Sequence, residues 1–119
     1  MKTYKDFLGK CYIELDRQYC FIYKIIEQDS KPGLECYETQ IKPNSAFVYN
    51  DICEDNDLTY INKFIPELNK ECNAIELPHN EFLVLSSRIK FLEEIQNEVE
   101  QRISKFTKEV WTGIENMRK

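Results

Sequence analysis

From Pro78 to Lys119 the chain has no internal proline, and its apolar residues recur three and four apart. With Phe82 at position a of a heptad, the a and d positions are Phe82, Leu85, Ile89, Leu92, Gln96, Val99, Ile103, Phe106, Val110, Gly113 and Met117. Nine of these eleven are apolar, which is the spacing of a coiled-coil seam. A helix from Asn80 to Met117 extends about 57 Å at 1.5 Å per residue, whereas a body built from the preceding residues is only about 30 Å across. Half the helix must therefore leave its own domain. The seam continues along that half, and at about 25 cal/mol per Å² of apolar surface it demands a cover.

The first part of this helix is apolar on more than one side. Val84, Phe91 and Ile95 lie off the seam and are expected to rest on the chain's own sheet, leaving a and d for a second helix. After Glu98 mainly the seam survives, flanked by Glu100, Arg102, Lys105, Lys108 and Glu109. The expected oligomer interface is Leu85, Ile89, Leu92, Gln96, Val99, Ile103, Phe106, Val110 and Met117, in a homodimer ahead of higher oligomers. In a parallel dimer Arg88 at g would face Glu93 at e of the partner, and Gln96 would pair with its counterpart. Parallel and antiparallel pairing both stay open. The competing arrangement breaks the helix near Gly113 or earlier and folds it back on the sheet.

Residues 1–77 carry strand signals in close succession. Thr3 to Leu8 suits a short helical turn ended by Gly9. Lys10 to Leu15 alternates Cys11, Ile13 and Leu15 against Lys10, Tyr12 and Glu14. Tyr19 to Glu27 is apolar on both faces, as a central strand would be. Asp29-Ser30-Lys31-Pro32-Gly33 predicts a turn onto a strand from Leu34 to Ile41, Pro43-Asn44-Ser45 another, and Ala46 to Ile52 the next strand. Leu58 to Ile65 reads as a further strand, with a helix capped by Asn56 as the alternative reading. Ala74 to Leu77 is a last short strand, and Asn80 is the expected N-cap of the long helix. The fold class is α+β: a small antiparallel sheet or SH3-like barrel of about five strands over 1–77, then one long helix over 78–119.

Charge is unevenly spread. Residues 1–77 hold nine Lys/Arg against fourteen Asp/Glu, and residues 78–119 seven against seven, so the whole excess of acid lies in the first part. A phosphate backbone would be repelled there, which disfavours direct nucleic-acid binding and suits a basic protein partner. The acidic stretch Asp51, Glu54, Asp55 and Asp57, with Tyr12, Tyr37 and Tyr49 on the wet strand faces, is the candidate partner-binding surface, the rings offering cation–π contact. Read as an EF-hand from Asp51, the stretch finds Asn56 where glycine is needed and Asn62 where glutamate is needed, so no metal site is expected.

Five cysteines, Cys11, Cys20, Cys36, Cys53 and Cys72, form no CxxC pair, and Lys2, Lys5 and Asp6 leave no apolar leader core. Reduced, buried thiols in a cytoplasmic protein are expected. His79 is the only histidine; beside strand-borne cysteines it makes no nucleophile–base signature. No catalytic residue, cofactor or membrane span is expected. The pattern as a whole implies a non-enzymatic, oligomeric interaction protein: an adaptor, assembly component or inhibitor, those of phage and mobile elements included. An acidic decoy that mimics nucleic acid is the alternative, and a cysteine-dependent enzyme the third.

Overall fold

The computed structural model describes residues 2–54 and 58–118. Five antiparallel strands form one sheet: β1 (Cys11–Asp16), β2 (Tyr19–Gln28), β3 (Lys31–Gln40), β4 (Ser45–Ile52) and β5 (Ile75–Leu77), in the order β4-β3-β2-β1-β5. The sheet is open and not closed into a barrel. Its edges are managed separately. β5 is only three residues long, and β4 is covered by side chains of the long helix, as described below. A short edge and a covered edge leave nothing for barrel closure to solve.

The β2–β3 connection is tighter than the expected five-residue turn. Asp29 and Ser30 take positive φ values of 53° and 64°, and Gln28 pairs directly with Lys31. These two residues make a hairpin loop whose twist matches its strands. Pro32 and Gly33 belong to β3 instead. The Pro32 carbonyl accepts the Cys53 N–H at 2.9 Å. Gly33 is needed for close approach: a Cβ there would lie 2.3 Å from Ile52 Cδ1 and 2.9 Å from the Asp51 carbonyl oxygen.

Both faces of the sheet are covered in its middle, which is why β2 is apolar on both sides. On one face Tyr12, Phe21, Tyr23, Ile25, Leu34 and Cys36 pack with Tyr4 and Phe7 of an N-terminal 3-10 turn (Tyr4–Phe7) and with Ile61 and Ile65. Thr3 caps that turn by accepting from Lys5 N, while Thr3 N donates to Asp6. The stretch expected to be a strand over 58–65 is instead α1 (Leu58–Asn62) followed by turns. Ile61 and Ile65 are both fully buried and Phe64 packs into the same core; a strand would turn Phe64 to the face opposite Ile61 and Ile65, and Pro66 ends the run. Asn56, its expected cap, lies outside the described residues.

On the other face Cys11, Ile22, Ala46 and Leu77 pack against Phe82 and Ile89 of α2 (His79–Met117). Pro78, not Asn80, occupies the N-cap position, without a side-chain cap bond; the Pro78 carbonyl accepts Phe82 N at 2.9 Å. The sheet-facing side of α2 is Phe82, Leu85, Ser86 and Ile89. Val84, Phe91 and Ile95, expected to face the sheet, are 50%, 61% and 41% exposed. The early a and d positions are thus covered within the chain. A straight helix rotates a strict heptad pattern by about 20° per repeat, so the same pattern turns off the sheet as it proceeds. From Asn97 to Gly113 every residue is exposed, and the molecule measures 73 × 30 × 24 Å.

Candidate interaction surface

Where α2 leaves the sheet it first closes an edge. Gln96 Oε1 accepts the Ala46 N–H at 2.8 Å, and Gln96 Nε2 donates to the Ala46 carbonyl at 3.4 Å. Glu93 Oε2 accepts the Val48 N–H at 2.6 Å. Spaced three apart, these two side chains take up the outward backbone groups of β4 that a neighbouring strand would otherwise pair. Just beyond them a groove of ≈ 560 Å³ separates helix and sheet, with Leu92, Ile95 and Val99 on the helix side and Asn44, Ser45 and Ala46 on the sheet side.

The rest of the helix presents apolar side chains to solvent. Val99, Ile103, Phe106, Val110 and Met117 are 48%, 60%, 59%, 60% and 86% exposed. Trp111, which the heptad pattern does not single out, is 57% exposed and lines a shallow depression with Ile103, Phe106, Thr107 and Val110. Its signal in the sequence was an aromatic residue next to a seam position, outside a and d. Soluble monomers rarely expose a contiguous face of this kind. The expected interface divides accordingly. Ile89 is buried in the chain's own core, Leu85 packs beside it and Gln96 is bound to Ala46, so these three are already occupied. Leu92, Val99, Ile103, Phe106, Val110 and Met117 are the ones left open.

The acidic and tyrosine residues are not gathered into one surface. Tyr12 is fully buried because α1 and the residues after it cover its face, and its hydroxyl donates to Glu67 at 2.9 Å; the expectation of a wet face fails there. Tyr37 lies beneath α2, edge-on to Phe82, and donates to Glu35 at 2.9 Å. Tyr49 is 40% exposed. Asp51 accepts from Tyr60, and Glu54 is exposed; Asp55 and Asp57 lie outside the described residues. Tyr4 pairs likewise with Glu27, and Tyr19 with Glu38. Phenols and carboxylates thus satisfy one another within the body, which leaves fewer of either for a ligand.

Burial followed by the Glu35 hydrogen bond pushes the Tyr37 phenol up to about 12, and the Asp51 hydrogen bond followed by burial does the same to Tyr60. Burial raises the thiols of Cys11 and Cys20 and pushes Cys36 up to about 12. None of the five cysteines is in a disulfide, and Cys11, Cys36 and Cys53 are buried. Among the described residues no group of His, Cys, Asp and Glu could hold a metal ion, and no helix is long and apolar enough to cross a membrane. Compared with protein-family models, curated proteins and solved structures, the chain matches none.

Proposed function

We propose that this chain is a non-enzymatic interaction module of the cytoplasm that self-associates through the projecting part of α2 and holds its sheet domains out to a protein partner. The observation that carries the reading is the solvent-exposed face of Val99, Ile103, Phe106 and Val110 on a helix that has left its own sheet. Leaving that face bare in water costs more than covering it with a like face. Cysteine catalysis has less support, because burial holds the thiols of Cys11, Cys20 and Cys36 protonated and a thiol reacts as its thiolate. A basic partner would meet the acid excess of the sheet body, with Asp51 and Glu54 beside the β2–β3 loop in one polar groove.

Light scattering on a gel-filtration column tests the association. At tens of micromolar the mass should exceed the 14.3 kDa of one chain, and Ile103→Asp should return it to that value with an unchanged circular-dichroism spectrum. A wild-type protein that stays at one chain's mass overturns the reading.

A further inference from the structure

The projecting helix is built from two charge blocks. From Glu93 to Glu100 it carries Glu93, Glu94, Glu98 and Glu100 with no basic residue; from Gln101 to Lys108 it carries Arg102, Lys105 and Lys108 with no acid. Two copies laid in the same direction set each block beside its own kind. Two copies reversed about a point between Glu100 and Gln101 set acid against base. Glu94, Glu98, Arg102 and Lys105 follow one another at spacings of four, four and three, so they share one flank of the helix. Arg102 already bonds Glu98 of its own chain at 2.6 Å, which leaves this flank able to extend into a network between copies.

The apolar line has the same symmetry under reversal. On the side turned from the sheet it runs through Val84, Arg88, Phe91, Ile95 and Val99, then through Ile103, Phe106, Val110, Gly113 and Met117. Three consecutive steps of four between Phe91 and Ile103 make a stutter, which locally unwinds a left-handed helix pair. Reversal about the same point sets Val84 against Met117 of the second copy, Phe91 against Val110 and Ile95 against Phe106, with Val99 one residue out of step with Ile103. Arg88, the one charge in the line, falls opposite Gly113, where no atom lies within 4 Å of the place a Cβ would take. A parallel pair would instead stack Arg88 on Arg88 and Gly113 on Gly113.

We propose that the exposed face of α2 is covered by a second copy of this chain in antiparallel orientation, with the two-fold axis beside Glu100 and Gln101. This rests on the self-association reading above and deepens it by fixing the direction and register of the pair. Reversal brings the second copy's Phe106 level with the groove of Leu92, Ile95 and Val99 against the β4 edge. It also turns Trp111 toward the second copy's sheet, which accounts for a distal apolar arc wider than a two-helix seam.

Disulfide trapping tests the direction. A tagged Val84→Cys chain and an untagged Met117→Cys chain are oxidised separately and after mixing, with the wild type as background for the native thiols. The antiparallel pair predicts a cross-linked heterodimer in the mixture and no cross-link above background in either variant alone. Cross-linking of Met117→Cys by itself overturns the direction but leaves self-association standing. A dimer by light scattering that cross-links in no preparation overturns the register. A single-chain mass throughout overturns this inference together with the reading it rests on.

Discussion

Phe82 and Ile89 at the start of α2 are 1% and 4% exposed, whereas Ile103 and Val110, which occupy the same heptad position three repeats further on, are each 60% exposed. The residues are of one kind and the spacing is one pattern; only the cover differs. Near Phe82 the chain's own sheet supplies it, and the drift of a heptad stripe around a straight helix then carries the pattern off the sheet. Heptad spacing therefore marks a face that needs covering without saying whether the cover is intramolecular. Single substitutions in the two halves should separate these roles.

Phe82→Ala should have the largest effect on folding. The ring is packed edge-on to Tyr37 with the Lys24 ammonium 5.6 Å from its centroid, and truncating such a buried ring costs about 3–5 kcal/mol. Phe106→Ala, on the exposed half, should cost under about 1 kcal/mol in the same measurement, as surface changes do. Urea unfolding at a protein concentration low enough to populate single chains compares them. Equal losses would break the distinction between the halves.

Alkali should strike the sheet body next. Tyr37, Tyr60 and Cys36 keep their protons in the folded chain up to about 12, whereas free phenols lose theirs at about pH 10 and free thiols at about pH 8.5. A folded pKa above the unfolded one means that the unfolded state binds fewer protons in that window, so stability falls with rising pH there. What these groups contribute is complete below about pH 8 and is lost progressively up to about 12. Every tyrosine and cysteine precedes Asn73, so the loss originates in the body and not in the projecting helix. Urea midpoints measured from pH 7 to 12 should fall only in the upper part; a flat series would contradict the buried, hydrogen-bonded phenols.

Much of this architecture was legible because strand and helix periodicities differ. The 3-10 turn, the central strand and the long helix follow from Thr3, from the two apolar faces of Tyr19 to Glu27 and from the absence of proline after Pro78. What was hidden depended on layers the sequence does not announce. Tyr12 alternates with apolar neighbours like a wet residue, yet α1 and the following turns cover its face. Ile61 and Ile65 fit a strand or a helix locally, and the packing of Phe64 into the same core as both is what selects the helical turns. Val84, Phe91 and Ile95 are as apolar as Phe82 and Ile89, so choosing the sheet-facing side required knowing that Glu93 and Gln96 bond the β4 backbone. Phe91→Asp accordingly should leave the fold intact, as its 61% exposure implies, where a sheet-facing Phe91 would have been essential to it. Of the candidate interface, the distal residues follow from helix length against body size. The acidic stretch was legible as charge, while its pairing with tyrosines was not.

A smaller effect should mark the boundary between the halves. Gln96→Ala removes both bonds to Ala46 and uncovers part of the β4 edge, at a cost of about 1 kcal/mol, since water can take over an edge group. Gln101→Ala, one turn further on and fully in solvent, should be neutral in the same urea titration. If the two are alike, the edge contact contributes nothing and the boundary moves toward Ile89.

The smallest effect should come from Gly113→Ala, and its sign distinguishes the helix alone from the helix in a pair. In the single chain nothing stands within 4 Å of the added methyl, and alanine gains up to about 1 kcal/mol over glycine inside an exposed helix. Four residues from the end of α2, where helices fray, only a few tenths of that should appear, as a slight rise in helical circular dichroism at low concentration. In the antiparallel pair the methyl enters the space that Arg88 of the second copy uses. Arg88 can shift its flexible stem by the width of a methyl, so dissociation should change less than twofold, whereas Gly113→Leu should fill the space and shift the monomer–dimer midpoint at least tenfold upward. Were both substitutions to tighten association equally, Gly113 would not face a large side chain, and the two halves of α2 would not be each other's cover.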